Sequence, residues 1–279
     1  MSLTSFIKDS AVREHILDEF PNQGSGPTRS VQAGAQTQNY MLIGTAFDYL
    51  LRFWLRRNVP ECHTRQWVAN SSLRIAEEES IGDPATIRTA IERAEEERDG
   101  FLETGTLTTD LIESALDLAR IDGLYRSGRV PESLGEYEQD DIVDCIALMQ
   151  VLEESGDLAG EGVYLNPVFG QASRLVGGAD ADAVLDGTLI DVKVTGNSTF
   201  KADYWHQLVG YLVLSDLHEL FSEADLYEEF EELFFVEAPE PMTIEEFGIY
   251  FARHGELSTV PASVVYDAEN YPAFREWFV

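Results

Sequence analysis

Three charged side chains that lie close together in the sequence, Asp182, Asp191 and Lys193, have the types and spacing of a hydrolytic site. Two carboxylates facing each other across paired strands, with Cβ atoms about 5 Å apart, need a shared proton or a cation. Mg²⁺ and Mn²⁺ take carboxylate oxygens and keep several waters, which suits a Lewis acid and a source of hydroxide. A nearby lysine could orient or deprotonate that water, or stabilise negative charge developing at phosphorus. We therefore expect a Mg²⁺ or Mn²⁺ site.

The sequence between these residues predicts a β-hairpin. Asp186-Gly187 is a dipeptide preferred in two-residue type I′ turns. With that turn, Asp182 is opposite Asp191, and Asp180 is opposite Lys193. Opposed residues share a face and successive residues alternate, so these charges gather on one face, where Asp180 should position Lys193. The other face should meet the core, and it contains Ala181, Ala183, Leu185, Ile190, Val192 and Val194.

The alternative is a solvent-facing polar strand, because aspartate is frequent throughout this chain. Lysine, in contrast, occurs only at positions 8, 193 and 201. The placement of one of these lysines two residues from an opposed aspartate pair favours a functional site over an ordinary exposed strand.

Asp182, followed nine residues later by Asp191-Val192-Lys193, resembles the D…(D/E)-x-K core of the PD-(D/E)XK nuclease superfamily. The superfamily includes restriction endonucleases and RecB-like exonucleases. The proline of the motif is absent, since Ala181 precedes Asp182. The resemblance implies an α/β fold with a restriction-endonuclease-like core, in which a central mixed β-sheet is flanked by helices. It also implies a Mg²⁺-dependent nuclease whose partner is nucleic acid, with DNA as the first choice.

Two helices carry further residues that match the RecB-like branch. Gln207 and Tyr211 match a Q-x-x-x-Y motif, and their i, i+4 spacing puts both on one helix face. There they could hold a phosphate or the active-site end of the sheet. Gly44-x-x-x-Asp48 matches a glycine followed by a histidine or acidic residue, which implies Asp48 as a third metal ligand. The alternatives are ordinary packing for Tyr211 and an i, i+4 ion pair with Arg52 for Asp48.

The order of the predicted elements indicates a mixed sheet rather than a doubly wound parallel one. Periodicity predicts helices over residues 4–20, 44–57, 84–99, 108–126, 139–154, 203–217 and 271–279, and strands over 162–169, 179–185, 188–195, 247–255 and 256–266. We expect one nuclease domain over residues 1–279, with a helical insertion at about 76–155. The resemblance covers residues 40–57 and 160–217 and leaves that insertion and the late strands unexplained.

The charge balance is strongly acidic, with 51 Asp and Glu against 19 Lys and Arg and a formal net charge of −32. Such a chain repels itself in dilute buffer, whereas at about 1 M salt the Debye length is only about 3 Å. Acid-rich, lysine-poor surfaces resemble proteins of salt-accumulating halophiles. A DNA mimic or a binder of basic proteins is the alternative, but here the acid is spread along the whole chain.

The densest basic cluster is formed by arginines: Arg52, Arg56 and Arg57, with Arg65 and Arg74 beyond. These side chains could bind phosphates, or they could pair within their helix and extend to solvent. Two distant cysteines, at positions 62 and 145, give no disulfide framework and favour the reducing cytoplasm. No apolar run approaches the roughly 20 residues of a membrane span, so we expect no membrane partner.

The sequence thus predicts a metal-dependent nuclease in which Asp182, Asp191 and Asp48 bind the ion. Lys193, Gln207 and Tyr211 complete the predicted catalytic set. A non-catalytic nuclease-fold protein that binds nucleic acid or a protein partner is the alternative. The intact Asp182, Asp191 and Lys193 favour catalysis. DNA or RNA, single or double strand, endo- or exonuclease action and oligomeric state are left open.

Overall fold

The computed structural model describes residues 2–223 and 242–278. At its centre is a six-stranded sheet whose strands are neighbours in chain order. The strands are β1 (Glu61–His63), β2 (Gly162–Leu165), β3 (Ala183–Leu185), β4 (Thr188–Lys193), β5 (Glu246–Phe251) and β6 (Glu256–Pro261). β1 is parallel to β2 and β4 is parallel to β5, and the other neighbouring pairs are antiparallel. The prediction of an α/β protein with a mixed sheet flanked by helices is confirmed.

Helices cover both faces of this sheet. They are α1 (Leu3–Phe6), α2 (Ser10–Glu19), α3 (Tyr40–Asn58), α4 (Val68–Glu79), α5 (Pro84–Thr104), α6 (Thr109–Ser127), α7 (Gln139–Ser155), α8 (Gly170–Leu175), α9 (Ala202–Glu223), α10 (Ser263–Tyr266) and α11 (Tyr271–Phe278). Helices α3 to α7 form a hydrophobic core on one face, and α1, α2 and α8 to α11 form a second core on the other. No helix in the described ranges has the length and apolar content needed to cross a membrane.

The hairpin of β3 and β4 has the predicted turn and register. Asp186 and Gly187 have φ angles of 45° and 79°, the positive values that a type I′ turn requires. Val184 is opposite Leu189, and Leu185 is opposite Thr188. Alternation sends Ala183, Leu185 and Ile190 into the first core and Val184 and Leu189 into the second, so both faces of the hairpin are covered.

The first strand of the hairpin is shorter than predicted. The β3–β4 ladder ends at Ala183, and the chain bends at Asp182. Because of this bend Ala181 packs in the second core, not beside Ala183 in the first. Asp180 is opposite Val168, and the β3–β4 ladder does not reach it, so the prediction that Asp180 lies opposite Lys193 is wrong.

Other differences have local causes. The predicted helix 4–20 is divided into α1 and α2, because Asp9 caps α2 by accepting hydrogen bonds from the amides of Ala11 and Val12. The last predicted strand ends at Pro261, and residues 263–266 form α10 instead. Strand β1 and helix α4 were not predicted. The predicted insertion boundary at residue 76 falls inside α4, and Val279 lies outside the described residues.

Candidate active site

The end of the hairpin away from its turn brings the predicted carboxylates together. Asp191 lies on β4 and is only 2% exposed, and Asp182 lies in the bend just before β3. Asp182 Oδ2 accepts a hydrogen bond from the backbone amide of Val192 at 2.6 Å, so the carboxylate of the first strand reaches across to the second. Both side chains therefore lie at one end of the sheet, as the predicted register requires.

The environment of Asp182 strongly disfavours its charge. Desolvation raises the pKa of Asp182 well above its ordinary value, and the neighbouring charges of Asp191 and Asp48 raise it further. Lys193 and the Val192 amide oppose this shift without cancelling it. Part of Asp182 still reaches solvent, so a proton or a cation can enter. The cluster of Asp182, Asp191 and Asp48 therefore needs a proton or a cation to balance its negative charge at neutral pH.

Lys193 supplies part of that positive charge. Its Nζ lies 2.6 Å from Asp191 Oδ2, a close ion pair that lacks the angles of a hydrogen bond. Desolvation acts to lower the pKa of Lys193, but Asp191 and Asp182 outweigh it and raise that pKa. Lys193 is therefore a permanent cation in this structure, which fits charge stabilisation better than removal of a proton from water.

Gln207 and Tyr211 on α9 continue a chain of contacts from Lys193. Lys193 Nζ donates to Gln207 Oε1 at 3.3 Å, and Gln207 Nε2 donates to the hydroxyl of Tyr211 at 2.9 Å. The Tyr211 hydroxyl donates in turn to the backbone carbonyl of Asp180 at 2.7 Å. Of the two roles suggested by the sequence, this arrangement corresponds to holding the end of the sheet, since Tyr211 is buried and its hydroxyl is engaged inside the fold.

Asp48 approaches the same place from α3. Its Oδ2 is 2.6 Å from Arg52 Nη2, so the i, i+4 ion pair allowed by the sequence is present. Its Oδ1 is buried and accepts no hydrogen bond from any residue that the structure describes. Arg52 lies 4.2 Å above the ring of Tyr49, and its Nη1 donates to Asn166 Oδ1 at 2.6 Å. Arg52 thus fixes Asp48 while leaving one carboxylate oxygen free.

Helix α6 adds two residues that the sequence analysis missed. Asp122 is 1% exposed, and its Oδ1 accepts a hydrogen bond from the Tyr49 hydroxyl at 2.7 Å. Arg126, one turn later, has its Nε 3.7 Å from Asp122 Oδ2. Desolvation acts to lower the pKa of Arg126, but the charges of Asp180, Asp122 and Asp48 outweigh it and raise that pKa. The signal in the sequence was an aspartate between the apolar residues Ile121 and Leu124 of α6.

The ligand atoms available at the site are of the chemical type that divalent cations prefer. Hard cations prefer carboxylate oxygens, and buried oxygens without hydrogen bonds are found on Asp48, Asp122 and Asp191. These groups do not converge into a ready cage: within residues 2–223 and 242–278, no three His, Cys, Asp or Glu side chains are close enough together to hold an ion. Arg52 is paired with the other oxygen of Asp48, and Lys193 is paired with this same Oδ2 of Asp191, so an ion bound at Asp191 Oδ2 would have to compete with Lys193.

Comparison of the chain with protein-family models, curated proteins and solved structures gave no match. The geometry described above is therefore the basis on which function is inferred.

Proposed function

We propose that the protein is a Mg²⁺- or Mn²⁺-dependent nuclease that hydrolyses phosphodiester bonds in nucleic acid, with DNA as the first substrate to test. The observation that carries this proposal is the grouping of Asp182, Asp191 and Lys193 at one end of a hairpin. There burial raises the pKa of Asp182, the charges of Asp191 and Asp48 raise it further, and Asp182 needs a proton or a cation. The resemblance of these residues to the PD-(D/E)XK core supports the same conclusion, and on it we propose that the mixed sheet is restriction-endonuclease-like.

Each residue of the site has a role that follows from its contacts. Asp182, Asp191 and Asp48 would hold the ion, which when bound supplies Lewis acidity and a source of hydroxide. Lys193, held in its charged form, stabilises negative charge that develops on the phosphoryl group. Gln207 orients the Lys193 ammonium, and Tyr211 fixes Gln207 against the first strand of the hairpin.

One observation favours a second candidate, a nuclease-fold protein that binds nucleic acid or a protein partner without cutting. Asp48 and Asp191 are already ion-paired with Arg52 and Lys193, so part of their charge is compensated without a metal. A direct measurement of cleavage distinguishes the nuclease from the non-cleaving binding protein. In either case we place the protein in the reducing cytoplasm, because Cys62 and Cys145 are free thiols.

The test is a cleavage assay on single- and double-stranded DNA and RNA at about 1–2 M KCl, where surface repulsion is screened. Cleavage should appear with Mg²⁺ or Mn²⁺ and vanish with EDTA. Asp182→Asn should abolish it and should also abolish Mn²⁺ binding measured by calorimetry. Lys193→Met should keep the fold and lower the rate about 10²–10³-fold, the usual effect of losing one charge-stabilising group.

Two matched variants serve as controls. Lys201→Met removes another of the three lysines, one that is exposed, and should cut like the parent. Asp180→Asn changes an exposed carboxylate but keeps the backbone carbonyl used by Tyr211, so Mn²⁺ binding should survive. Equal rates for Lys193→Met and the parent would remove Lys193 from the mechanism. Binding of nucleic acid without cleavage under every metal condition would replace the nuclease by the second candidate.

A further inference from the structure

A basic pocket lies beside the carboxylate site. It is formed by α3, the segment between β1 and α4, helix α5 and the end of β2, and it has a volume of about 280 Å³ that includes space open to solvent. Its walls contain the arginines at positions 52, 56, 65 and 98, with Trp67 and Asn166. None of the residues lining it is acidic, in a chain where Asp and Glu outnumber Lys and Arg by 51 to 19.

Two of these arginines are fixed and two are free to bind. Arg52 is held by Asp48 and Asn166. Arg98 is held by Asp99 at 2.8 Å, with its guanidinium 5.0 Å from the ring centre of Trp67. Arg56 and Arg65 are exposed, and within the part of the chain that the structure describes neither guanidinium has an ion pair or hydrogen bond. Two unpartnered guanidinium groups at one pocket indicate an anion-binding site.

The geometry points to a phosphate group of a nucleic acid strand as the anion that this pocket binds, an inference that rests on the proposed function. Guanidinium groups pair with phosphate oxygens through two parallel N–H donors, so Arg56 and Arg65 match that group.

The pocket and the carboxylate site share a wall. Arg52 reaches Asn166 with Nη1 and Asp48 with Nη2, and the backbone amide of Asn166 donates to the carbonyl of Asp182 at 3.0 Å. Arg52 and Asn166 therefore belong both to the pocket wall and to the surroundings of the carboxylates, which makes the pocket and the carboxylate site adjacent. On a surface of net charge −32, this pocket also supplies the local attraction that a polyanion needs.

The experiment measures binding of a fluorescent single-stranded DNA oligonucleotide in EDTA, where cutting cannot interfere, over a series of KCl concentrations. Arg56→Met and Arg65→Met should each weaken binding about tenfold, because each removes one charge-assisted contact. Each should also reduce the slope of log affinity against log salt by about one. Arg74→Met removes an exposed arginine that does not line the pocket and should change neither quantity appreciably. Inorganic phosphate should compete with the strand on the parent and lose that effect on the double variant Arg56→Met/Arg65→Met.

Several results would overturn this inference. One is a double variant that binds the strand as tightly as the parent. Another is equal weakening by Arg74→Met, which would indicate a general charge effect. A third is a polyglutamate peptide that binds as well as the strand, since the pocket would then not be selective for phosphate. Unfolding curves of the variants check that the fold is kept. The binding experiment contains no metal, so its result does not depend on whether the protein cleaves nucleic acid. If the pocket variants bind and cut normally, the pocket is not the phosphate site, but the proposed nuclease function is unaffected.

Discussion

Asp122 shows how a single buried carboxyl should affect stability. Burial of the side chain, opposed only in part by the Tyr49 hydroxyl and by Arg126, raises the pKa of Asp122 to about 6. The folded protein therefore keeps a proton that the unfolded chain releases between about pH 4 and pH 6. The stabilisation from that proton is fully present below about pH 4 and is lost as the pH rises through about 6.

The prediction concerns Asp122→Asn, measured in EDTA by urea unfolding between about pH 4 and pH 8. Relative to the variant, the parent should lose of the order of 3 kcal/mol of unfolding free energy as the pH rises through this range. Asp110→Asn, which changes an exposed aspartate on the same helix, should leave the pH profile of the parent unchanged. Parallel profiles for the parent and Asp122→Asn would show that the carboxyl titrates as it does in water.

Residue types and spacing were enough to indicate most of the candidate site. Asp182, Asp191 and Lys193 could be grouped from the sequence because a two-residue turn fixes which residues face each other. Gln207 and Tyr211 could be placed on one helix face by their spacing. Asp122 and Arg126 could not, because their approach to Asp48 depends on how α6 packs against α3, and no local pattern encodes that packing. The bend at Asp182, which separates Asp180 from Lys193, could not be predicted either, because the predicted register assumed a continuous first strand.

At the level of elements, Asp186 both forms the turn of the hairpin and binds that turn to the start of β2. Asp186 has a φ of 45°, and its carboxylate accepts hydrogen bonds from the amides of Glu161 and Gly162 at 3.0 and 2.8 Å. These contacts join the hairpin to the start of β2. The position of the site carboxylates therefore depends on a turn residue at the opposite end of the strands.

Asp186→Ala should destabilise the protein by about 2–4 kcal/mol, because it removes two hydrogen bonds to backbone amides and puts a Cβ-bearing residue without a polar side chain at positive φ. Asp186→Asn removes the same charge but tolerates that φ and keeps one of the two acceptor oxygens, so it should lose less than Asp186→Ala. Urea unfolding midpoints measure both. Equal losses in the two variants would mean that the charge of Asp186, and not its geometry, is what matters.

The elements that sequence reasoning found are the ones whose own pattern is strong. The amphipathic spacing of α3 and the alternation of the hairpin both correspond to a buried face. The three residues of β1 carry no pattern of their own and form a strand only because β2 lies alongside. Helix α4, which buries Ala69, Leu73 and Ala76, was also missed. Capping by Asp9 divided a helix that periodicity alone had joined.

For the whole molecule, the net charge of −32 should make folding depend on salt. The Debye length falls from about 30 Å at 0.01 M to about 3 Å at 1 M, so repulsion between surface carboxylates decreases over that range. We expect the melting temperature to rise by on the order of 10 °C between these limits, equivalent to several kcal/mol in a chain of this size. Calorimetry or circular dichroism measures this rise.

An osmotically matched sucrose series is the control, because excluded osmolytes stabilise folded proteins without screening charge. KCl should raise the melting temperature at much lower concentrations than sucrose does. A sharp melt at low ionic strength that KCl leaves unchanged would contradict a protein adapted to high salt. The acidic surface would then be better explained by an interaction with basic partners.

The ion pair of Arg52 with Asp48 and its hydrogen bond to Asn166 have a thermodynamic consequence. The guanidinium is shared between Asp48 and the wall of the basic pocket, so a cation gained by Asp48 frees part of the guanidinium for an anion in the pocket. An anion held there in turn weakens the ion pair and frees Asp48 for a cation. Linkage requires these two effects to be equal. Occupation of the two sites should therefore be positively cooperative, with a single buried arginine as the coupling between them.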